Sequence, residues 1–374
     1  MKSLTIRRAI VPGIAALALA LTGCGAANDS EDGGGSDSGS SESSESLSGT
    51  LNGGGSSAQE SAPGVWRAGF QEANSGATVN YDPVGSGTGR ENFISKAYSF
   101  AGSDSALSTD EGELDAAKER CGGEDPIEVP AYVSPIAIVY NLEGVDDLQL
   151  SAKTIAGIFD GKITTWNDQA IAAENPDAEL PGDRITPVHR SDDSGTTENF
   201  TDYLNKAGEG AWQYDADGIW PTKGGEAAEG TSGVISAVTK GKGSIGYADE
   251  SQAGDLGKVK VKVGEEYVAP EPEAAAKVVE TSPAAEGRAD VDMATDIDRT
   301  TTEAGAYPVV LVSYLIACQT YDDKAEADLV KAYLTYIVSE EGQQAAAENA
   351  GSAPLSATTA DKATAIVEKI AAKG

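Results

Sequence analysis

The stretch that decides how this chain reads is Ile185-Thr186-Pro187-Val188-His189-Arg190-Ser191-Asp192-Asp193-Ser194-Gly195-Thr196-Thr197, followed by Glu198-Asn199-Phe200-Thr201-Asp202-Tyr203-Leu204. Ile185 to Val188 reads as a buried strand, and Phe200, Tyr203 and Leu204 recur at helical spacing. Ser194 therefore falls where a loop turns into a helix. A helix start carries unpaired backbone N–H groups and the positive end of the dipole, so it attracts an anion. Ser194 and Thr196 add hydroxyl donors, Gly195 lets backbone approach closely, and Arg190 supplies a fixed cationic fork. An ordinary N-cap beside a surface arginine is the competing reading of the same residues.

Three earlier passages repeat the pattern. Ser48 to Leu51 reads as a strand running into Gly53-Gly54-Gly55-Ser56-Ser57, before a helix with Val65, Trp66 and Phe70 on one face. Ala77 to Tyr81 runs into Val84-Gly85-Ser86-Gly87-Thr88-Gly89-Arg90 and a helix carrying Phe93, Ile94 and Ala97. Tyr98 to Ala101 runs into Gly102-Ser103-Asp104-Ser105, with a helix expected from about Thr109 to Arg120. Ligands of open α/β sheets sit at the carboxyl ends of strands, so these loops should face one crevice. Ile127 to Tyr140 reads as strand broken by Pro130 and Pro135, and Tyr307 to Cys318 as a second apolar strand. If both cross between lobes, lobe I is 49–132 plus 311–374 and lobe II is 133–310. Lobe II takes helices over Ala152–Phe159 and near Thr231–Thr239, a strand at Ser244–Ala248, and one helix plus exposed loop over 266–306. Further helices are expected over about 322–338, 340–349 and 359–372. The fold class is α/β, two-lobed, with a hinge of two crossing strands.

The chain of 374 residues, 40% hydrophobic, can fill two cores. Its long apolar run, Ala9 to Leu21, follows Lys2, Arg7 and Arg8 and is too short to cross a bilayer, so residues 1–23 read as an export signal. That run ends in Leu21-Thr22-Gly23-Cys24, which looks like a bacterial lipoprotein cleavage box, with Cys24 the lipid-bearing first residue; an ordinary cleaved signal is the alternative. Residues 24–48 are mostly Gly, Ser, Asp and Glu with almost nothing apolar, a flexible tether of roughly 25 to 30 Å. Loss of the signal takes three bases and no acid, moving the net charge from −33 to −36. Nucleic acid is thus excluded as a partner, since phosphate backbones need clustered cations. An anion would have to bind against the global field through short-range donors, charges beyond about 8 to 10 Å being screened. With Cys24 lipidated, Cys121 and Cys318 remain; in an exported chain such a pair reads as a disulfide, with two separate buried thiols as the alternative. The single histidine, His189, leaves no His/Cys metal site and no cofactor to expect. It reads as a structural strand-end residue, and Trp166 as packing.

Taken together, Arg190-Ser191-Asp192-Asp193-Ser194-Gly195-Thr196, Gly85-Ser86-Gly87 and Phe100-Ala101-Gly102-Ser103-Asp104 resemble the periplasmic phosphate-binding proteins of ABC phosphate uptake systems. Phe159-Asp160-Gly161-Lys162-Ile163-Thr164-Thr165-Trp166 and Gly243-Ser244-Ile245-Gly246-Tyr247 extend the likeness, which covers about 48–356. The resemblance implies a periplasmic-binding-protein type II fold, no catalysis, inorganic phosphate as ligand and a membrane permease as partner. It implies a monomer at the extracytoplasmic face of the membrane, held by its lipid anchor. It places ligand contacts on Ser86, Asp104, Arg190, Ser194, Gly195 and Thr196. The family's first loop usually ends Ala-Thr-Phe-Pro, whereas this chain has Ser56-Ser57-Ala58-Gln59; Ser57 is expected to replace the threonine hydroxyl, and the N–H of Ala58 that of the phenylalanine.

Phosphate at neutral pH keeps a proton and sulfate keeps none. A carboxylate such as Asp104 only accepts, so it takes a hydrogen bond from phosphate and meets bare lone pairs on sulfate. Sites that bury such a group reject the ligand lacking its partner by roughly 10⁴ to 10⁵. Asp104 is thus the expected selector, against the alternative of a turn cap, and Asp192 is expected to hold Arg190, against an exposed loop acid. Arsenate, protonated like phosphate, or a sensory role stays open. A serine hydrolase has only His189 as base, five residues before Ser194 across a tight loop, and lacks a Gly-x-Ser-x-Gly elbow at Ser86.

Overall fold

The computed structural model describes residues 47–374. The signal, Cys24 and nearly all of the tether lie outside these residues; Ser48, where tether and first strand are expected to meet, begins the first strand. The chain opens with β1 (Ser48–Gly55), α1 (Ser61–Ala73), β2 (Gly76–Asp82), α2 (Ser86–Ile94), β3 (Phe100–Ser103), α3 (Glu113–Arg120) and β4 (Ile127–Tyr140). It continues through β5 (Gln149–Leu150), α4 (Ala152–Phe159), α5 (Gln169–Glu174), β6 (Thr186–Arg190), α6 (Gly195–Ala207), β7 (Glu226–Ala228), α7 (Gly230–Lys240) and β8 (Ser244–Asp249). Then come β9 (Gly257–Lys258), β10 (Lys260–Val263), β11 (Glu266–Val268), α8 (Pro272–Thr281), β12 (Val310–Ala317) and β13 (Thr320–Tyr321). The chain finishes with α9 (Lys324–Val338), α10 (Glu340–Ala350), α11 (Ala357–Val367) and β14 (Ala371–Ala372).

The main sheet runs β2-β1-β3-β12-β4-β8-β6-β7, with β9 also on β4. β1 lies parallel to β2 and β3, and β6 parallel to β7 and β8, so two groups of parallel strands flank the antiparallel pair β12 and β4. β4 differs from the sequence expectation: it is one continuous strand of 14 residues, buried throughout, and neither proline breaks it. Proline cannot donate to a ladder, and both prolines sit where the ladder is irregular. Pro130 faces Tyr314 beside a register shift at Ser313/Tyr314, while Pro135 is the last residue opposite β12. From Ile136 onward β4 pairs with β8 instead.

The C-terminal helices return to the first strands. Trp66 of α1 donates to Gly342 O of α10 at 2.8 Å, and Phe70 meets Tyr333 of α9 edge to face at 5.2 Å. Cys121 and Cys318 are bonded to each other, with Cα atoms 5.3 Å apart across 197 residues of chain, so the two-thiol alternative falls. Other departures are local. β3 begins two residues later than read, where Phe100 pairs with Gly53 of β1, and α3 starts at Glu113. α2 ends before Ala97. The last expected helix stops at Val367, because Ala371 and Ala372 are drawn into a parallel pair with Thr320 and Tyr321. Trp166 is buried and donates to Gly243 O at 3.1 Å. Among the described residues no helix is long and apolar enough to cross a membrane.

Candidate functional site

Four strand ends deliver the candidate residues. β1 ends at Gly55, whose φ of 138° is open to glycine and whose Cα passes so close to Gly102 that an added Cβ would stand 2.0 Å from its carbonyl oxygen. This contact brings Ser56 and Ser57 beside β3 and Asp104. The Gly-Ser-Gly passage is not free loop, as the sequence suggested: Ser86 is already the first residue of α2. Its Oγ accepts from the Asp104 N–H at 3.1 Å. β6 carries Arg190 into the site, and Ser194 caps α6 by accepting from Thr197 N at 3.2 Å.

The loops on the two sides touch. Thr196 Oγ1 donates to Asp104 Oδ2 at 2.9 Å, and Asn199 Nδ2 donates to Asp104 O at 2.7 Å. Ser57 Oγ accepts from Thr231 N at 3.1 Å, at the start of α7. Gln252 Nε2 donates to the carbonyls of Ser57 and Ala58, each at 3.0 Å, while the Ala58 N–H turns inward to Ser56 Oγ at 3.1 Å. Arg190 is locked by a fork to Asp192, its Nε to Oδ1 at 2.8 Å and its Nη2 to Oδ2. Asp192 Oδ1 also accepts from Gly230 N at 3.0 Å, so one carboxylate joins the arginine to α7. Burial opposes its charge, but Arg190 and the Gly230 amide hold the Asp192 carboxyl below its ordinary range.

Asp104 is 2% exposed. Burial pushes its carboxyl up, against the hydroxyls of Ser313, Ser56 and Thr196 and the charge of Arg190. The starts of α2 and α6 thus meet at Asp104, while the first amides of α7 are taken by Asp192 and Ser57. His189 takes no part: its Nδ1 lies 2.9 Å from Arg190 O and its ring stacks on Trp220 at 4.9 Å. That leaves neither Ser194 nor Ser86 with the base a nucleophile needs.

The structure thus brings Ser86, Asp104, Gly195 and Thr196 into contact. It ties Ser57 to the start of α7 through Thr231 and Arg190 to the same helix start through Asp192, leaves Ser194 as the cap of α6, and turns the Ala58 N–H away to Ser56. Sequence reasoning missed Ser313, whose hydroxyl donates to Asp104 Oδ1 from the middle of β12. A hydroxyl inside the apolar run Val310-Leu311-Val312-Ser313 was the available signal. It also missed Thr231, although Glu229-Gly230-Thr231-Ser232 opens a helix with small residues as the other loops do.

An α/β chain with two parallel strand groups joined by crossing strands, whose loops meet around Asp104, is a substrate-binding protein of the periplasmic type II class. Residues 40–341 match the model of the PBP superfamily domain. The chain is 37% identical over 332 residues to the phosphate-binding protein PstS 3 of Mycobacterium tuberculosis, covering 87% of this chain and 89% of that one. It is 34% identical over 367 residues to PstS 2 of the same organism, covering 97% and 98%. Among solved structures, a high-affinity periplasmic phosphate-binding protein with phosphate bound superposes with a TM-score of 0.69 at 25% identity, covering 85% of this chain and 93% of that one. The chain belongs to the PstS family of phosphate-binding proteins.

Proposed function

We propose that this protein closes two lobes over one inorganic phosphate and delivers it to the membrane permease of an ABC importer. Lobe I is 49–132 with 311–374 and lobe II is 133–310; the handover of β4 from β12 to β8 at Pro135 supports a hinge there. Phosphate is held by the hydroxyls of Ser57, Ser86, Ser194 and Thr196, the amide at Gly195, and the Arg190 guanidinium; the Ala58 N–H, expected to take the place of the family's phenylalanine amide, is spent on Ser56 Oγ instead. Asp104 accepts a hydrogen bond from the P–O–H group that phosphate has and sulfate lacks. The protein binds its ligand without transforming it, acts as a monomer, and is held at the outer face of the membrane by lipid on Cys24.

The observation that carries this reading is Asp104: a buried carboxylate at the mouth of α6, beside a buried arginine whose direction Asp192 fixes. Its test is isothermal titration of the mature domain, stripped of bound ligand, with phosphate and then sulfate. Phosphate heat without sulfate heat is expected for the parent. Asp104→Asn, whose amide can donate to an oxyanion, should lose phosphate affinity and narrow the gap to sulfate. No phosphate heat in the parent, or unaltered selectivity in the variant, would sink the assignment.

A further inference from the structure

Asn199 lies one turn into α6, past the proposed ligand contacts, and is almost wholly buried. Its side-chain amide sits between three elements. Nδ2 donates to Asp104 O at 2.7 Å and to Gly195 O, four residues back on its own helix, at 2.8 Å. Oδ1 accepts from Arg299 Nη2. An amide that bridges two carbonyls and a third partner works only one way round, because its oxygen facing Asp104 O would set acceptor against acceptor.

Arg299 decides which way that is. Its guanidinium has donors and no acceptor, so the atom of Asn199 facing it has to be the oxygen. The guanidinium is itself held at every side: Nε donates to Asp202 Oδ2 at 3.0 Å, and Nη1 to Pro308 O at 3.0 Å and to Val310 O at 2.7 Å. Val310 is the first residue of β12, the strand whose Ser313 reaches the carboxylate of the same Asp104. Arg299 thus ties the start of a crossing strand to α6.

From this arrangement we infer that Asn199 is the latch of the closed form and Arg299 its positioning residue. The inference rests on the proposed closure over phosphate. Asp104 is then grasped twice by α6, by Thr196 on its carboxylate and by Asn199 on its backbone carbonyl, and both bonds cross between the lobes. The carboxylate contact competes with bound phosphate for Asp104, whereas the carbonyl contact does not. Asn199 therefore acts on how long the lobes stay shut, not on which anion enters.

The consequence is kinetic. The latch forms after the anion arrives, so losing it speeds release and leaves arrival alone. Two variants test this by stopped-flow tryptophan fluorescence with inorganic phosphate. Asn199→Asp keeps an acceptor for Arg299 but cannot donate to Asp104 O; Asn199→Ser is neutral and too short to span the gap. Both should release phosphate roughly three- to tenfold faster, the scale of one hydrogen bond, with association within about twofold of the parent. Release at the parental rate in either variant, or a loss confined to association, would overturn the latch. A parent that gives no phosphate signal refutes the functional reading itself, and the two failures are distinct.

Discussion

Replacing Gly195 by Ala should weaken phosphate binding without harming the ligand-free protein. Gly195 is the first residue of α6 and packs directly against the opposite loops. A Cβ there would stand 2.8 Å from Ser86 Oγ, 2.9 Å from Asp104 Cβ and 3.0 Å from Ser105 N. Non-bonded atoms prefer roughly 3.5 to 4.0 Å. The methyl is therefore short of room by about 0.5 to 1 Å against three atoms at once, by the same measure. Two of the three are tied to backbone and cannot swing aside. Overpacking of this kind costs about 1 to 3 kcal/mol, which is a 5- to 150-fold rise in Kd. With the lobes apart the clash vanishes, and Gly195 has a backbone conformation alanine adopts freely, so the replacement lowers the unfolded chain's entropy and stabilises the stripped protein by roughly 0.4 to 1 kcal/mol. The effects on binding and on unliganded stability thus have opposite signs. Titration calorimetry gives the first and a thermal melt of the stripped protein gives the second. A Kd within twofold of the parent, or weaker binding accompanied by an earlier melt of the stripped protein, would refute the argument.

Two further outcomes concern stability. Cys121→Ser with Cys318→Ser should cost about 2 to 5 kcal/mol, because the bond ties the end of α3 to the end of β12 across 197 residues of chain; an unchanged urea midpoint would count against it. Asp249, at the end of β8, is fully buried, and burial pushes its carboxyl up to about 7 despite hydrogen bonds from Ser251, Ser134 and Tyr132. Its folded value exceeds its unfolded one, so the folded state holds the extra proton and stability falls as pH rises from about 4 to about 7. The parent should lose up to about 1.4 kcal/mol per pH unit from this group, a loss that Asp249→Asn removes; equal pH slopes in the two proteins would contradict it.

What the sequence made legible were the features one short segment settles for itself. The strand–loop–helix units around Ser57, Ser86, Asp104 and Ser194 could be read because apolar periodicity and small-residue loops are local signals. Contacts between distant segments could not. Ser313 and Asp104 are 209 residues apart and Arg299 and Asn199 are 100 apart, and neither pair leaves a mark in its own neighbourhood. The prolines of β4 misled for a related reason. Their local meaning is a broken strand, but a register shift on β12 and a change of partner at Pro135 supply the two places where a missing N–H costs nothing. At the chain end, pairing with Thr320 and Tyr321 overrode the helical pattern of the last residues.

The order of strands in the main sheet also fixes the order in which the protein can assemble. Ala101 of β3 is paired with Ile316 of β12, so the strands made first wait for a neighbour made near the end of synthesis. Until residue 316 exists, β3 keeps a bare hydrogen-bonding edge and α1 lacks α10. Pairings so distant along the chain are slow to find, and the growing N-terminal half has no finished structure to settle into. The first half of the protein is thereby kept unfinished until its chain is nearly whole.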